Sequence, residues 1–203
     1  GADLFESYIG AAYGCFAMIS IFYKNSIAEY TSFIFLLLAI GLGSSIIVIL
    51  LAQNISKKKN INPVKIIKNV GIFASSISII ATFLVSKYVS KNISFFYVVT
   101  IGIVCGSLIG LITDYYTSSK PVKNIAKDSK AGPASNILRG FSTGMESTFL
   151  TIVVIVISIY AAYSLIGVFG IALAGLGMLI TVASTISIDA YGPISDNAGG
   201  IVE

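Results

Sequence analysis

The chain is built from six long apolar stretches that are separated by shorter polar segments. The stretches comprise residues 1–23, 31–53, 64–86, 93–115, 143–165 and 167–190. An α-helix needs about 20 mostly apolar residues to cross a bilayer, and each stretch is close to that length. The apolar positions run continuously instead of alternating, so membrane-spanning β-strands are a poor interpretation. The pattern predicts an all-α integral membrane fold with six transmembrane helices in a single domain.

The basic residues fall mainly in two of the polar segments, and this predicts an orientation. Segments 54–68 and 114–139 hold ten of the 13 Lys and Arg residues, and the turns near 24–30 and 87–92 hold the other three. Loops rich in Lys and Arg stay on the cytoplasmic side of a membrane. We therefore expect 54–68 and 114–139 to be cytoplasmic loops, and six spans then place both ends of the sequence on that side.

Composition supports a lipid bilayer as the main partner and excludes several functions. Hydrophobic residues make up 56% of the chain and charged residues 11%, whereas soluble domains carry about 25% charged residues. The net charge of +4 is spread between apolar stretches, so no nucleic-acid surface is expected. The chain has no His, which excludes imidazole metal sites and Ser–His or Cys–His catalysis. Cys15 and Cys105 lie in apolar runs, where cysteine is usually a small buried residue without a redox role.

Glycines at four-residue spacing predict close helix packing. Gly102, Gly106 and Gly110 form one such row in the fourth stretch, and Gly10 and Gly14 repeat the spacing in the first. Small residues at this spacing let a neighbouring helix backbone approach closely. We interpret these positions as packing sites and not as ligand sites.

Acidic residues at the edges of the apolar stretches are the first candidates for chemistry. Asp3, Glu6 and Ser7 lie three and four residues apart, so a helix would place them on one face. Two carboxylates in a low-dielectric setting are costly unless a cation lies among them, and the group is therefore a candidate cation site. Glu146, near the start of the fifth stretch, is predicted to be a structural partner for a neighbouring helix.

A second acidic series closes the chain. Asp189, Asp196 and Glu203 are spaced by seven residues, so an uninterrupted helix would place them on one face. Carboxylates without His or Cys are hard ligands that suit Mg²⁺ or Ca²⁺. Pro193 and the glycine pair that follows it are equally typical of a solvated loop after a membrane span. On these residues alone the loop is the favoured interpretation.

Six motifs together resemble a known family. "GADLFESY", "TDYYTS", "GPASNI", "GMES", "GIALAGLGML" and "DAYGPISDNAGGI" occur in the same order as in membrane-bound, ion-translocating inorganic pyrophosphatases. The resemblance runs from the first residue to the last. It implies that this sequence is an internal fragment, comprising the sixth to eleventh helices of a sixteen-helix pump. Such a pump is a homodimer and a multi-pass protein of the cell membrane, here expected to be a bacterial inner membrane.

The resemblance also implies an activity and roles for individual residues. The full-length pump would hydrolyse inorganic pyrophosphate with Mg²⁺ and export Na⁺ or H⁺, with K⁺ as a candidate activator. Asp196 matches a catalytic-site aspartate that holds Mg²⁺ and substrate, and Asp189 matches a neighbouring acidic position. Asp3 matches the gate aspartate, and Glu6 and Ser7 match the ion-site positions of one subgroup. Other catalytic motifs of the family lie outside this sequence, so the fragment alone is expected to be inactive.

The transported ion is predicted from the position of one glutamate. The motif resembles that of plant-type proton pumps, but their glutamate lies one helical turn later, where this chain has Gly10. The position of Glu6 is typical of the sodium-pumping subgroup, although some relatives with this pattern move protons. A secondary ion-coupled transporter without hydrolytic activity and a non-catalytic membrane scaffold are the alternative functions. Asp- and Lys-rich motifs in the flanking sequence would distinguish a hydrolase from the transporter, and a scaffold gives no reason for carboxylates at the ends of the spans.

Overall fold

The computed structural model describes residues 1–56 and 63–202, and these are folded almost entirely into helices. The α-helices are α1 (Ala2–Phe22), α2 (Ile27–Ser56), α3 (Pro63–Tyr88), α4 (Ile93–Ser118), α5 (Lys120–Asp128), α6 (Pro133–Ile166), α7 (Val168–Met178) and α8 (Val182–Val202), with 3-10 turns at Lys24–Ser26 and Ser129–Ala131. The described residues contain no strand. Six helical segments are long and apolar enough to cross a membrane, which confirms the predicted all-α membrane fold.

The segment predicted to be a cytoplasmic loop, 114–139, is largely helical in the structure. α4 continues to Ser118, α5 follows at once, and α6 begins at Pro133. Pro121 and Pro133 lie in the first turns of α5 and α6, where the fixed φ of proline favours a helix start. Gly132 separates the two helices with a φ of 113°, a conformation that glycine adopts readily. In the other predicted loop, 54–68, residues 57–62 lie outside the described residues.

The sixth predicted span, 167–190, is interrupted, which corrects the expectation of one continuous helix. α7 ends at Met178, and the backbone then tightens: the Leu179 N–H donates to the Leu176 carbonyl and the Ile180 N–H to the Gly177 carbonyl, both at 3.2 Å. These are the three-residue bonds of a 3-10 turn. α8 resumes at Val182. The apolar pattern is unbroken here, because the turn is buried among neighbouring helices and needs no polar residues.

The favoured interpretation of the C-terminal segment as a solvated loop is wrong. α8 is helical from Val182 to Val202, with Pro193 inside it. Proline removes the hydrogen bond that residue 193 would donate to the carbonyl of Asp189, but the helix continues on both sides. The result is a single helix that carries both Asp189 and Asp196.

Glycines bring α4 and α7 into backbone contact. A Cβ added at Gly102 would lie 2.9 Å from the backbone nitrogen of Met178, and one at Gly106 would lie 2.7 Å from the Met178 carbonyl oxygen. The close approach predicted for this row is thus confirmed at Gly102 and Gly106. It does not extend to Gly110, Gly10 or Gly14, where no atom of another described helix lies within 4 Å of the Cβ position.

An aromatic cluster fixes the end of the bundle that is remote from the acidic residues. Tyr23 at the end of α1 stacks edge-on against Tyr30 of α2 and Phe169 of α7, with ring centroids 4.8 and 5.2 Å apart. Phe95 of α4 lies 5.5 Å from Phe169. Edge-to-face aromatic pairs add to the stabilisation that burial alone provides. Because the end of α1 meets the start of α7, these helices run antiparallel.

Buried serines form hydrogen bonds between α2 and its neighbours α3 and α8, near the turn that separates α7 from α8. The hydroxyl groups of Ser44 on α2 and Ser78 on α3 are 2.8 Å apart, and those of Ser45 on α2 and Ser184 on α8 are 3.2 Å apart. All four side chains are buried. Such interhelical hydrogen bonds contribute to association where the surroundings are apolar. The first turn of α8 is therefore held against α2.

Candidate functional site

The first group of predicted site residues lies on one uncovered face of α1. Asp3, Glu6 and Ser7 are all exposed. The buried residues of this helix lie on the opposite face, and they are Tyr8, Ala12, Cys15 and Ile19. The side chains of Asp3 and Glu6 make no ion pair within the described part of the chain. The structure thus brings the three residues together and leaves their oxygen atoms available to a ligand or to another part of the protein.

The second group lies on α8. Asp189 and Asp196 are both exposed, and because α8 continues through Pro193, seven residues of helix separate them. That spacing corresponds to about 10.5 Å along the axis with almost no rotation, so both carboxylates occur on one helix face. Glu203, the third member of the predicted series, lies outside the described residues.

The two groups lie on helices that contact each other, but at different heights. The start of α1 packs on α8, where Gly1 has Ile186 Cγ2 3.5 Å from its Cβ position. Asp189 follows Ile186 by three residues and therefore lies on nearly the same side of α8, close to the start of α1. Asp196 follows Ile186 by ten residues, about 15 Å farther along the helix. The α1 carboxylates and Asp196 are thus at different levels along the helix axes.

The carboxylates do not form a complete metal centre within the described residues. No group of three or more His, Cys, Asp or Glu side chains is close enough there to hold a metal ion. Mg²⁺, however, is typically bound by one or two carboxylates together with water and phosphate oxygens. Asp189 and Asp196, about 10.5 Å apart along the helix, each fit that limited role singly, and the hard oxygens of the α1 group fit an alkali cation.

Several polar contacts between helices were not found from the sequence. The Ser45–Ser184 hydrogen bond anchors the start of α8, and the ion pair between Asp128 and Arg139, at 3.0 Å, joins α5 to α6. For the Ser45–Ser184 hydrogen bond, the only indication in the sequence was that each serine lies within an apolar stretch. Glu146, by contrast, was expected to contact a neighbouring helix, and its carboxylate interacts with the Tyr116 hydroxyl of α4.

Comparison with known proteins identifies relatives along the whole chain. The family model described as inorganic H⁺ pyrophosphatase matches residues 1–203. A putative K⁺-stimulated pyrophosphate-energized sodium pump of Clostridium tetani is 38% identical to this chain, which it covers completely. A K⁺-stimulated pyrophosphate-energized sodium pump of Thermotoga maritima is 33% identical, and a K⁺-insensitive pyrophosphate-energized proton pump of Moorella thermoacetica is 39% identical, both over the whole chain.

These relatives are much longer than this chain. The chain spans 31% of the Clostridium tetani protein and 32% of the other two. More than two thirds of each relative therefore has no counterpart in this structure.

Proposed function

Because this chain belongs to the inorganic H⁺ pyrophosphatase family, we propose that the full-length protein is a membrane pump that hydrolyses pyrophosphate and exports Na⁺. The observation that carries the proposal is the order of acidic groups along α1 and α8. A hydrolytic site at Asp196 and an ion site at Asp3 and Glu6 would lie at two levels of the contacting helices α8 and α1. This arrangement suits a pump, in which hydrolysis and ion movement must be coupled but separate.

For hydrolysis, we assign Asp196 and Asp189 to the binding of magnesium pyrophosphate. Mg²⁺, when bound, neutralises the charge of pyrophosphate and holds its oxygens for in-line attack by water. The Asp196 carboxylate would hold the ion, and Asp189, nearer to α1, would supply a second negative charge on the same helix face. Such hydrolysis depends on positioning and electrostatics, so the lack of His and of an exposed Cys is compatible with it.

For transport, we assign the ion site to Asp3, Glu6 and Ser7. Their oxygens share one helix face and suit Na⁺, and the residue one turn later, Gly10, offers no carboxylate for a proton relay. Relatives named as sodium pumps and as proton pumps are both similar to this chain, so the position of Glu6 carries the choice of Na⁺. We also propose a homodimer in the cell membrane, with K⁺ as an activator, as in the names of the sodium-pump relatives.

A secondary ion-coupled transporter is the second candidate, and one observation favours it. The turn between α7 and α8 interrupts a membrane-spanning segment, and interrupted helices are common at the ion sites of such transporters. Their fold usually repeats the interruption in a second half. The other predicted spans that the structure describes are continuous. We therefore rank the pump first.

Hydrolysis is tested with the full-length protein in inverted membrane vesicles. Asp196→Asn keeps the size of the side chain and removes the charge that would hold Mg²⁺. We expect pyrophosphate hydrolysis to fall at least about a hundredfold, which corresponds to roughly 3 kcal/mol. Asp128→Asn is the matched control, because Asp128 pairs with Arg139 away from α8. Normal hydrolysis by the Asp196 variant would refute its assignment.

Transport is tested in the same vesicles, with and without Na⁺. Addition of pyrophosphate should drive ²²Na⁺ uptake, and Glu6→Ala should abolish that uptake. Glu29→Ala, in the first turn of α2, is the control and should transport normally. Vesicle acidification without Na⁺ uptake in the parent would refute sodium export. Na⁺ flux that is independent of pyrophosphate, with no hydrolysis, would favour the secondary transporter.

A further inference from the structure

A row of lysines lies along one face of α5. This basic row consists of Lys120, Lys123, Lys127 and Lys130, spaced by three, four and three residues. At 100° per residue these positions lie within an arc of roughly 80°. The first three are on α5 and the fourth is on the 3-10 turn that extends it. All four side chains are exposed.

The opposite face of α5 is the one that packs on the protein. Pro121, Ile125 and Asp128 are half-buried, and Asp128 pairs with Arg139 of α6 at 3.0 Å. Within the described residues, α5 contacts only α4, α6 and the 3-10 turn that follows it. The basic row therefore points away from the bundle, and the acid on its own helix is already engaged by an arginine.

The position of α5 between two spanning helices places it at the membrane boundary. α4 has 26 residues, about 39 Å of helix, against a hydrocarbon core of about 30 Å. Tyr115 and Tyr116 lie in its last turn, directly before α5, and tyrosines are enriched at the membrane interface. Val122, 40% exposed, and Ala126, also exposed, adjoin the basic row. This is the arrangement of a helix that lies in the interface, with apolar residues toward lipid and lysines at the headgroups.

We propose that the basic row is a binding surface for the phosphate groups of anionic phospholipids. The rule that basic loops remain in the cytoplasm requires only a number of positive charges. It does not require four lysines on one face with the packed face opposite them. The row is also separate from the acidic residues of α1 and α8, because α5 has no contact with either helix in the described structure. A lipid headgroup is thus a better match for it than soluble pyrophosphate.

The test uses the full-length protein in nanodiscs of phosphatidylcholine, with or without phosphatidylglycerol, and measures backbone hydrogen exchange across 119–131. Phosphatidylglycerol should slow exchange in this segment. Replacing all four lysines by Gln should weaken that effect at least about tenfold, whereas replacing them by Arg should retain it. The matched control replaces Lys24, Lys87 and Lys91 by Gln, since these lysines lie in or directly beside the turns at the other end of the spans. It should behave as the parent.

Three results would overturn the proposal. The first is unchanged exchange in the parent when phosphatidylglycerol is added. The second is equal slowing in the parent and the Gln variant. The third is slowing in phosphatidylcholine discs on addition of pyrophosphate or inorganic phosphate, which would assign the row to a soluble anion.

Discussion

A substitution of one glycine tests whether backbone contact between α4 and α7 holds the bundle together. Gly102→Ala adds a single methyl group on a buried face of α4. Its carbon would lie 2.9 Å from the Met178 nitrogen and against the Ala174 carbonyl, whereas carbon atoms at optimal separation are about 3.5–4.0 Å apart. Because the Ala174 carbonyl oxygen is the nearest atom, α7 would have to move away by about 1 Å or more, and a shift of that size in a close-packed interface costs roughly 1–3 kcal/mol.

The magnitude can be isolated with a second variant of the same helix. Gly110→Ala makes the same chemical change where no atom of another described helix lies within 4 Å. Both variants gain the same intrinsic helix propensity, up to about 1 kcal/mol, so their difference in stability reports the clash alone. We expect Gly102→Ala to be less stable than Gly110→Ala by about 1–3 kcal/mol. Gly106→Ala, with its carbon 2.7 Å from the Met178 oxygen, should also be destabilised.

The assay is unfolding of the full-length protein by SDS in mixed micelles, which gives a free energy of unfolding for each variant. The parent and the three alanine variants should be compared at one lipid composition. Equal stability of Gly102→Ala and Gly110→Ala would refute the contact between α4 and α7 as a source of stability. A loss of stability in Gly110→Ala alone would show that the missing part of the protein packs on the other end of the glycine row.

Two further predictions concern orientation and polar contacts. In a background without Cys15 and Cys105, a cysteine introduced at Lys123 should react with a membrane-impermeant maleimide only after the membrane is opened, because basic loops stay in the cytoplasm. Rapid labelling of intact cells would contradict this topology. Ser45→Ala removes the hydroxyl that bonds Ser184, but Ser184 keeps its hydrogen bond to the Thr181 carbonyl. We therefore expect the free energy of unfolding in the SDS assay to fall by only about 0.5–1 kcal/mol. A fall larger than that of Gly102→Ala would contradict packing as the dominant contribution to stability.

The sequence predicted the six spans because hydrophobic length is a direct consequence of bilayer thickness. It did not predict the turn between α7 and α8, since residues 179–181 read "LIT" and carry no Gly or Pro. That turn is visible only once neighbouring backbones are in place, where the Ile180 carbonyl lies against Gly41 of α2. Tertiary contact decides the local structure here, and local propensity is a weak guide.

The helical state of the C-terminal segment was missed for a related reason. Pro193 and the glycine pair at 199–200 are loop signals, and they lowered the expected helix content of residues 189–202. Pro193 costs one hydrogen bond, but the segment still forms a single helix with Asp189 and Asp196 on one face. The spacing of seven residues was therefore more informative than the presence of helix breakers.

The exposed acidic faces of α1 and α8 lead to a physical conclusion about what surrounds them. A carboxylate that faces lipid costs up to about 3 kcal/mol near the centre of a membrane, and α1 carries two on the face opposite its packed residues. That face must then adjoin water, a cation or a basic group. The relatives are about three times longer than this chain. We therefore expect the face of α1 that carries Asp3 and Glu6 to adjoin a hydrated region of the full-length protein, where water and cations replace the lipid that these carboxylates cannot tolerate.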